Sequence, residues 1–508
     1  MKRKIQLLVL AAVLAAGWLA PAEDRRPNVI FILADDLGYG DVGFCPLPAT
    51  NVLARLRTRN LDRLAAGGVV LTGHYAAAPV SAPSRASLMT GRVQGECSLR
   101  DNCFDRPFSE TCTLASVMKG AGYATWAVGK WGIAGGGESR LPVSSHPLDR
   151  GFDYFYGFLD HLAGHTYYHY KGRLNNAWMG VSENRADATD GAAGIYSTDL
   201  YIAKAKSLIR RHAAERPGTP FFLYLAVNTV HGSGRNDSTL ADSTPLHVPG
   251  RPFPAEGLSW PLEPEPRELR NTWINPEFRG LPPAAARYAT AVKRLDDGIG
   301  DLLALLDRLG IAQDTMVVFT SDNGPADEYG ADPRTFGSAG ALDGMKRDVF
   351  EGGMRVPAAV RWPARIAPGS RDDAPSQSHD WMATLAEAAG TSAPAQCDGV
   401  SLLPRWGASK APARPSLVYS QYEFPYAGHT AAFREFAARK APVRGLQQMT
   451  RSGRFTALRT RIGEKDGGRV RLYDVVSDPF QRRDLSGLPE YAARVEAMTR
   501  ILDERLRR

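Results

Sequence analysis

Four short apolar runs, Asn28–Leu33, Tyr123–Val128, Phe221–Val227 and Met316–Thr320, each stop abruptly at polar residues. Runs of that length, bounded that sharply, read as buried strands. Between them lie stretches with helical spacing and start signals: Asn60–Ala66, Thr113–Gly120, Ser197–His212 and Ala284–Leu309, the last ending at Gly310. Strands alternating with helices predict an α/β fold with a large mixed, mostly parallel sheet sandwiched by helices. The residues just beyond each strand constrain the chain further. Asp35-Asp36 comes after the first, Gly129-Lys130 after the second and Asp322-Asn323 after the fourth, while His231 lies four residues past the third. In open α/β sheets, ligands bind beyond the carboxyl ends of the strands. An acid pair, a lysine, a histidine and an Asp-Asn delivered to that edge predict a single site.

The two ends of the chain read differently. Beyond about residue 410, Phe455–Leu458 and Val470–Tyr473 look like short strands and Glu490–Leu506 like an amphipathic helix. We expect a catalytic domain over 23–410 and a smaller C-terminal antiparallel α+β domain over 411–508. Residues 1–22 combine a basic start (Lys2, Arg3, Lys4), an apolar run from Ile5 to Leu19 and the small-x-small Ala20-Pro21-Ala22. That is a signal peptide pattern. The run is shorter than the ~20 residues that span a bilayer comfortably. Cleavage, giving a periplasmic or secreted protein, is therefore expected over an uncleaved anchor. No other stretch is apolar enough to cross a membrane, so no stable membrane partner is expected.

Removing 1–22 takes three basic and no acidic side chains from a formal charge of +8, leaving +5. With no dense Lys/Arg block interleaved with aromatics, nucleic-acid binding has no support. The cysteine count is odd: Cys45, Cys97, Cys103, Cys112 and Cys397. At least one thiol is then free or linked to another chain. Cys97, Cys103 and Cys112 are close enough in sequence for one local disulfide, whose pairing the spacing does not fix.

Asp35, Asp36, Asp322 and Asn323 offer carboxylates and an amide carbonyl, a donor set for a hard cation such as calcium, with magnesium the second choice. Either pair alone is also an ordinary way to begin a turn after a strand; it is their combination that points to a metal. The sharpest segment is Ser81-Ala82-Pro83-Ser84-Arg85-Ala86-Ser87-Leu88-Met89-Thr90-Gly91-Arg92. Pro83 suits a first helical position, and the stretch to Thr90 a short helix. Ser81 would then sit at the positive end of that helix, where an anion is favoured. Arg85 could aim its guanidinium at the same anion. On local features alone, a plain Ser/Pro helix start remains the simpler alternative.

The same segment resembles the signature of the type I sulfatase family, in which Cys or Ser, any residue, Pro, any residue and Arg direct oxidation to formylglycine. Thr90-Gly91-Arg92 matches its second half. The resemblance covers almost the whole mature chain. Arg26–Gly38 is similar to the family's opening metal strand and Thr320–Gly324 to its second metal segment. Gly344-Met345-Lys346 with Glu351–Pro357 resembles its late lysine block. Leu472-Tyr473-Asp474 with Ser477-Asp478-Pro479 resembles its C-terminal element.

What the resemblance implies is an alkaline-phosphatase-like fold, a calcium ion held by Asp35, Asp36, Ser81, Asp322 and Asn323, and a formylglycine made from Ser81 by a serine-oxidising maturase. One hydroxyl of the aldehyde's hydrate, polarised by calcium and Arg85, attacks sulfur and displaces the alcohol. The other then loses its proton and expels sulfate. Lys130 and Lys346 match the sulfate-contacting lysines. His231 matches the active-site histidine that protonates the leaving oxygen, together with Lys346.

Two departures stand out. Where the family often shows Gly-Lys-Trp-His, this chain has Gly129-Lys130-Trp131-Gly132, and the lost imidazole leaves the second half-reaction without an evident base. Gly232–Thr244 is an insertion, expected to be a surface loop near the site mouth. Asp160–Lys171, with His161, His165, Tyr167, Tyr168, His169 and Tyr170, either stacks on a sugar or buries its aromatics in the core. The expected substrate is a sulfated carbohydrate. The alternatives are a phosphodiesterase or phosphonate hydrolase on the same fold, and a sulfated-glycan binding protein without turnover.

Overall fold

The computed structural model describes residues 26–47, 56–102, 108–135, 145–174, 177–192, 195–232, 275–278, 280–328, 332–423 and 445–506. The signal peptide expected at 1–22, Cys103 and all but the first residue of the Gly232–Thr244 insertion lie outside them. Ten strands form the main sheet: β1 (Asn28–Asp35), β2 (Val69–Leu71), β3 (Ala124–Lys130), β4 (Tyr154–Phe158), β5 (Ser182–Glu183), β6 (Ala186–Asp187), β7 (Phe221–Val230), β8 (Thr315–Ser321), β9 (Ala358–Arg361) and β10 (Ser370–Asp372). Their order is β10-β2-β9-β8-β1-β7-β3-β4-β5-β6. The five central strands, β8 to β4, run parallel, and antiparallel pairs begin at β9 and β5.

Alternation along the strands builds two cores. Ile30, Ile32 and Ala34 of β1 face a cluster shared with α1 (Arg59–Ala66), α4 (Ser197–Glu215) and α5 (Pro283–Arg308). Val29, Phe31 and Leu33 face the other, shared with α2 (Ser81–Thr90), α3 (Leu114–Gly120) and α6 (Asp380–Ala388). Phe31 meets Trp381 of α6 edge-on at 5.5 Å between ring centroids. Burying such a ring contributes about 1.5–3 kcal/mol. The helices begin close to their sequence signals; Thr113 caps α3 by accepting from the Ser116 N–H while Ser116 returns the bond.

The strands run further than their apolar stretches. Asp35 still pairs with Val230, and Lys130 with Phe158. A parallel neighbour on one side still pairs with the backbone there, so the sheet continues into its polar residues. Likewise α2 starts two residues before Pro83, which therefore occupies its first turn rather than its first position. Gly91 ends α2 at φ +66, where a Cβ would lie 2.6 Å from Met382 Cβ; that position accepts glycine alone.

A second, wholly antiparallel sheet comprises β11 (Val418–Glu423), β12 (Leu446–Ser452), β13 (Phe455–Arg459) and β14 (Arg471–Asp474). Helix α7 (Ala492–Glu504) covers it through Met498 and Leu502. The sequence suggested only β13 and β14, because β11 and β12 carry Gln and Ser among their apolar residues. Buried Glu351 ties the second sheet to the two-stranded ladder of His74–Tyr75 and Ser376–Gln377: it accepts from the Tyr75 hydroxyl at 2.7 and 2.9 Å and from Thr456 Oγ1 at 2.8 Å. Among the described residues no helix is long and apolar enough to cross a membrane. Cys45, Cys97, Cys112 and Cys397 are free thiols, so neither Cys97 nor Cys112 forms the local disulfide that their spacing allows.

Candidate active site

Beyond the carboxyl ends of the parallel strands, all nine residues singled out in the sequence meet. Asp35 ends β1, Lys130 ends β3, His231 follows β7, and Asp322 and Asn323 follow β8. Ser81 is the first residue of α2, Arg85 lies one turn on, and Lys346 comes from the loop before Glu351. Each of them is at most 2% exposed.

Asp36 turns the chain at φ +62, a conformation that Asp tolerates better than most residues. Its N–H donates to Asp322 Oδ1 at 3.1 Å, and Asn323 Nδ2 donates to Asp36 Oδ1 at 2.8 Å. Asn323 thereby turns its amide oxygen inward, 3.4 Å from Ser81 Oγ, which also lies 3.2 Å from Asp35 Oδ1. Lys130 Nζ is 2.5 Å from Asp35 Oδ2, and Lys346 Nζ is 2.8 Å from Asp36 Oδ2. Arg85 clasps Asp322 Oδ2 with Nε at 3.1 Å and Nη2 at 2.7 Å, and lies 3.6 Å from Asp35.

Burial and crowding work on the three acids unequally. Burial pushes Asp35 up, but Lys130, Arg85 and Lys346 together hold it below its ordinary value. Asp36 rises to about 7 through burial and the charges of Asp35, Glu328 and Asp322, against the pull of Lys346. Asp322 rises through burial and Asp35, in spite of Arg85. A nest in which two carboxylates resist ionisation, with an amide oxygen turned inward, has the charge and the hard oxygen donors for a divalent cation.

The opposite wall is built from turns. His231 Nδ1 lies 3.2 Å from the carbonyl of Gly164; a carbonyl only accepts, so Nδ1 carries the hydrogen and the neutral ring leaves Nε2 bare. Nε2 has no hydrogen-bond partner among the described residues and faces Asp36 Oδ2 and Glu328 Oε2, each 3.9 Å away. Burial, His165, Lys130 and Lys346 hold this imidazole well below its usual basicity. Lys346, by contrast, is raised by Asp36 and Glu328 against the cost of burial, and stays charged.

Glu328 went unread in the sequence, since a lone acid in a Gly/Asp-rich loop looks solvated. It pairs with Arg347 at 2.6 Å and Lys346 at 3.3 Å. The segment Asp160–Lys171 divides its residues. Tyr167 and Tyr168 bury themselves against Tyr196, and His169 is wholly buried, while partly exposed His161 and His165 stand beside His231. Gly132 takes φ +73, and a Cβ there would come 3.0 Å from Lys130 Cε. A histidine at this position would need strained backbone and a displaced lysine.

Residues 27–391 match the Sulfatase family. The chain is 31% identical to N-acetylgalactosamine-6-sulfatase of Rattus norvegicus over 79% of its own length and 70% of that protein's. It is 33% identical to steryl-sulfatase of Mus musculus over 79% and 69%. Among solved structures, Ps i-CgsB in complex with k-i-k-neocarrahexaose superposes with a TM-score of 0.69 at 25% identity, over 94% of this chain and 92% of that one. The fold, the match along most of the chain and these relatives agree: the protein belongs to the type I sulfatases, the sulfuric ester hydrolases of the alkaline-phosphatase-like superfamily.

Proposed function

We propose that the chain hydrolyses a carbohydrate sulfate ester, using a formylglycine made from Ser81 and a calcium ion held by Asp35, Asp36, Ser81, Asp322 and Asn323. The observation carrying this is Ser81 Oγ at the head of a buried helix, 3.2 Å from Asp35 Oδ1 and 3.4 Å from Asn323 Oδ1. Calcium would supply positive charge against the sulfuryl oxygens, and the hydrated aldehyde two hydroxyls on one carbon, one to attack and one to release sulfate.

The protein's own groups do the rest. Arg85 fixes Asp322 and, at the head of α2, keeps the environment of residue 81 positive. Lys130 and Lys346 balance Asp35 and Asp36 and are placed to turn to the oxygens of the sulfate. Lys346, which keeps its proton, is the group that can give one to the leaving oxygen. His231, whose Nε2 is bare at rest, can do so only after taking a proton up. The sugar reading is supported by the N-acetylgalactosamine named in one relative and the oligosaccharide bound by the other fold. The reading includes a cleaved signal peptide over 1–22, a periplasmic or secreted location, a serine-oxidising maturase as partner, and units at 23–410 and 411–508.

Peptide mass across Ser81, from protein made beside such a maturase, tests the proposal; loss of two hydrogens is expected. An unmodified serine in protein that prefers nitrophenyl phosphate to nitrophenyl sulfate would favour the phosphoesterase reading. Chelation should lower activity and added calcium restore it. Indifference to both would remove the metal assignment.

A further inference from the structure

His161 precedes and His165 ends a short 3-10 turn, Leu162–His165, and their imidazoles meet that of His231 at the mouth of the site. Ring centroids are 4.1 Å apart for His165 and His231, 5.1 Å for His161 and His231, and 5.3 Å for His161 and His165. One nitrogen from each of the three rings lies within 4.8 Å of the others. The turn holds the His161 and His165 imidazoles edge to face, 5.3 Å apart between ring centroids. The Gly164 carbonyl of that same turn fixes the third.

Glu328 Oε2 and His231 Nε2 face one another at 3.9 Å, with no hydrogen-bond partner for either among the described residues. Two bare acceptors so placed suit a cation between them. Imidazoles with a neighbouring carboxylate favour zinc, copper or nickel, whereas the all-oxygen nest at the strand ends favours calcium. Zinc bonds of ~2.0–2.1 Å require the three nitrogens to close by about 1.5 Å at most, within reach of side-chain rotation. His161 and His165 are partly exposed, so an ion can arrive from solvent. The nearby ammonium groups of Lys130 and Lys346 are each matched by a carboxylate, at 2.5 and 2.8 Å.

We propose that His161, His165 and His231 form a second metal site, for a divalent transition ion such as zinc, and that occupancy slows hydrolysis by withdrawing His231, the second proton donor beside Lys346, from the leaving oxygen. This goes beyond the sulfatase reading, and its binding arm is measured without turnover. Calcium-saturated full-length protein is titrated with ZnCl2, and separately with CoCl2 to record the visible spectrum of the bound ion.

The expected result is one ion per chain, a tetrahedral cobalt spectrum, and a slowing of sulfate ester hydrolysis that a zinc-selective chelator reverses in excess calcium. His161→Ala and His165→Ala should each weaken zinc binding more than about tenfold, the lower end of what even an outer-shell partner costs. His161→Gln and His165→Gln, which keep volume and polarity, guard against an unfolded alanine variant, and calcium-dependent melting verifies the fold of each. Absence of zinc uptake overturns the proposal. So does unchanged zinc affinity in the double variant, which would put the ion in the oxygen nest, or stoichiometric zinc with undiminished hydrolysis. Protein that binds zinc through these histidines but never cleaves a sulfate ester would sink the proposed function while leaving the metal site standing.

Discussion

The oxygen nest and the imidazole wall touch through Asp36, yet they are constructed in opposite ways. The nest is made of strand ends: Asp35, Lys130, Asp322 and Asn323 are placed by the register of a parallel sheet with helices on both faces, and all are fully buried. The wall is made of turns and loops, with His161, His165 and Glu328 partly exposed. A sheet held from both sides fixes where the carboxylates stand, which is what stabilising a developing charge requires. Turns can change residue without disturbing the sheet, and such positions are where substrate choice is set. The difference predicts that damage to the nest should be nearly independent of the substrate, and damage to the wall should depend on it.

The largest effect should come from the nest. Ser81→Ala should lower hydrolysis by on the order of 10⁴-fold or more on every sulfate ester. Its melting temperature should hardly move, because Ser81 Oγ makes only two long contacts, at 3.2 and 3.4 Å. Ordinary turnover by this variant would end the formylglycine mechanism.

On the wall, Lys346→Ala and His231→Ala should each cost roughly 10²–10⁴-fold on a sugar sulfate, the range of proton transfer to a leaving group. Nitrophenyl sulfate, whose leaving group needs no proton, should suffer much less. Equal losses in kcat on both substrates would erase the distinction between wall and nest and return these residues to charge stabilisation.

Arg85→Met should show that the nest also bears on stability. Removing the guanidinium strands Asp322 and Asp35 in the interior, and breaking a buried pair in this way costs about 3–5 kcal/mol. Urea unfolding without calcium should show the full loss, and calcium should recover part of it. A stability equal to that of the parent would mean that the carboxylates simply take up protons.

The smallest effect per residue is a pH dependence from buried histidines. Burial holds His169 to about 4. Burial, Arg405 and His379 hold His74 to about 3. In the unfolded chain both titrate near 6.5, so below that pH the unfolded state binds more protons than the folded one. Stability is therefore complete above about 6.5 and falls as pH drops toward 4, by on the order of 1.4 kcal/mol per unit for each histidine. Urea midpoints at pH 7 and pH 5 measure it. His169→Gln should remove one histidine's share of the slope, about 1.4 kcal/mol per pH unit; an unchanged slope would assign it to other groups.

The same contrast explains what was legible. An apolar run that ends in Asp-Asp or Asp-Asn announces a strand and what stands at its end, so the placement of Asp35, Asp36, Asp322 and Asn323 could be read directly, while their reading as metal ligands needed both pairs together with the Ser81 motif. Ser81 and Arg85 were readable through their motif rather than their physics; nothing local to Arg85 announces that it clasps Asp322. Lys346 too owed its reading to the motif around it. Glu328 had no periodicity and no motif, and its partners Arg347 and Lys346 lie too far along the chain for pairing to be guessed. The Asp160–Lys171 segment was recognisable as aromatic and His-rich, but which side chains would turn inward depended on Tyr196, a contact no local pattern announces. β11 and β12 hid for a related reason: Gln421, Gln447 and Gln448 are buried polar residues that find partners only in the finished tertiary structure.

Ser81 is 1% exposed, beneath Asp35 and Asn323 at the head of a helix whose ten residues are all buried. An enzyme that is to oxidise it must reach the chain while the helix is still open. The proposed modification thus has a deadline, set by when β8 closes over the serine. Asp322 and Asn323 are made some 240 residues after Ser81, and the loop bearing Lys346 is tied down later still, when Gln447 donates to the carbonyl of Arg347. Synthesis from the amino end therefore leaves a window in which residue 81 is available but the site that uses it does not yet exist. A chain that folds before it is oxidised shuts its own nucleophile away, so slow closure of the carboxyl-terminal half works in favour of an active product.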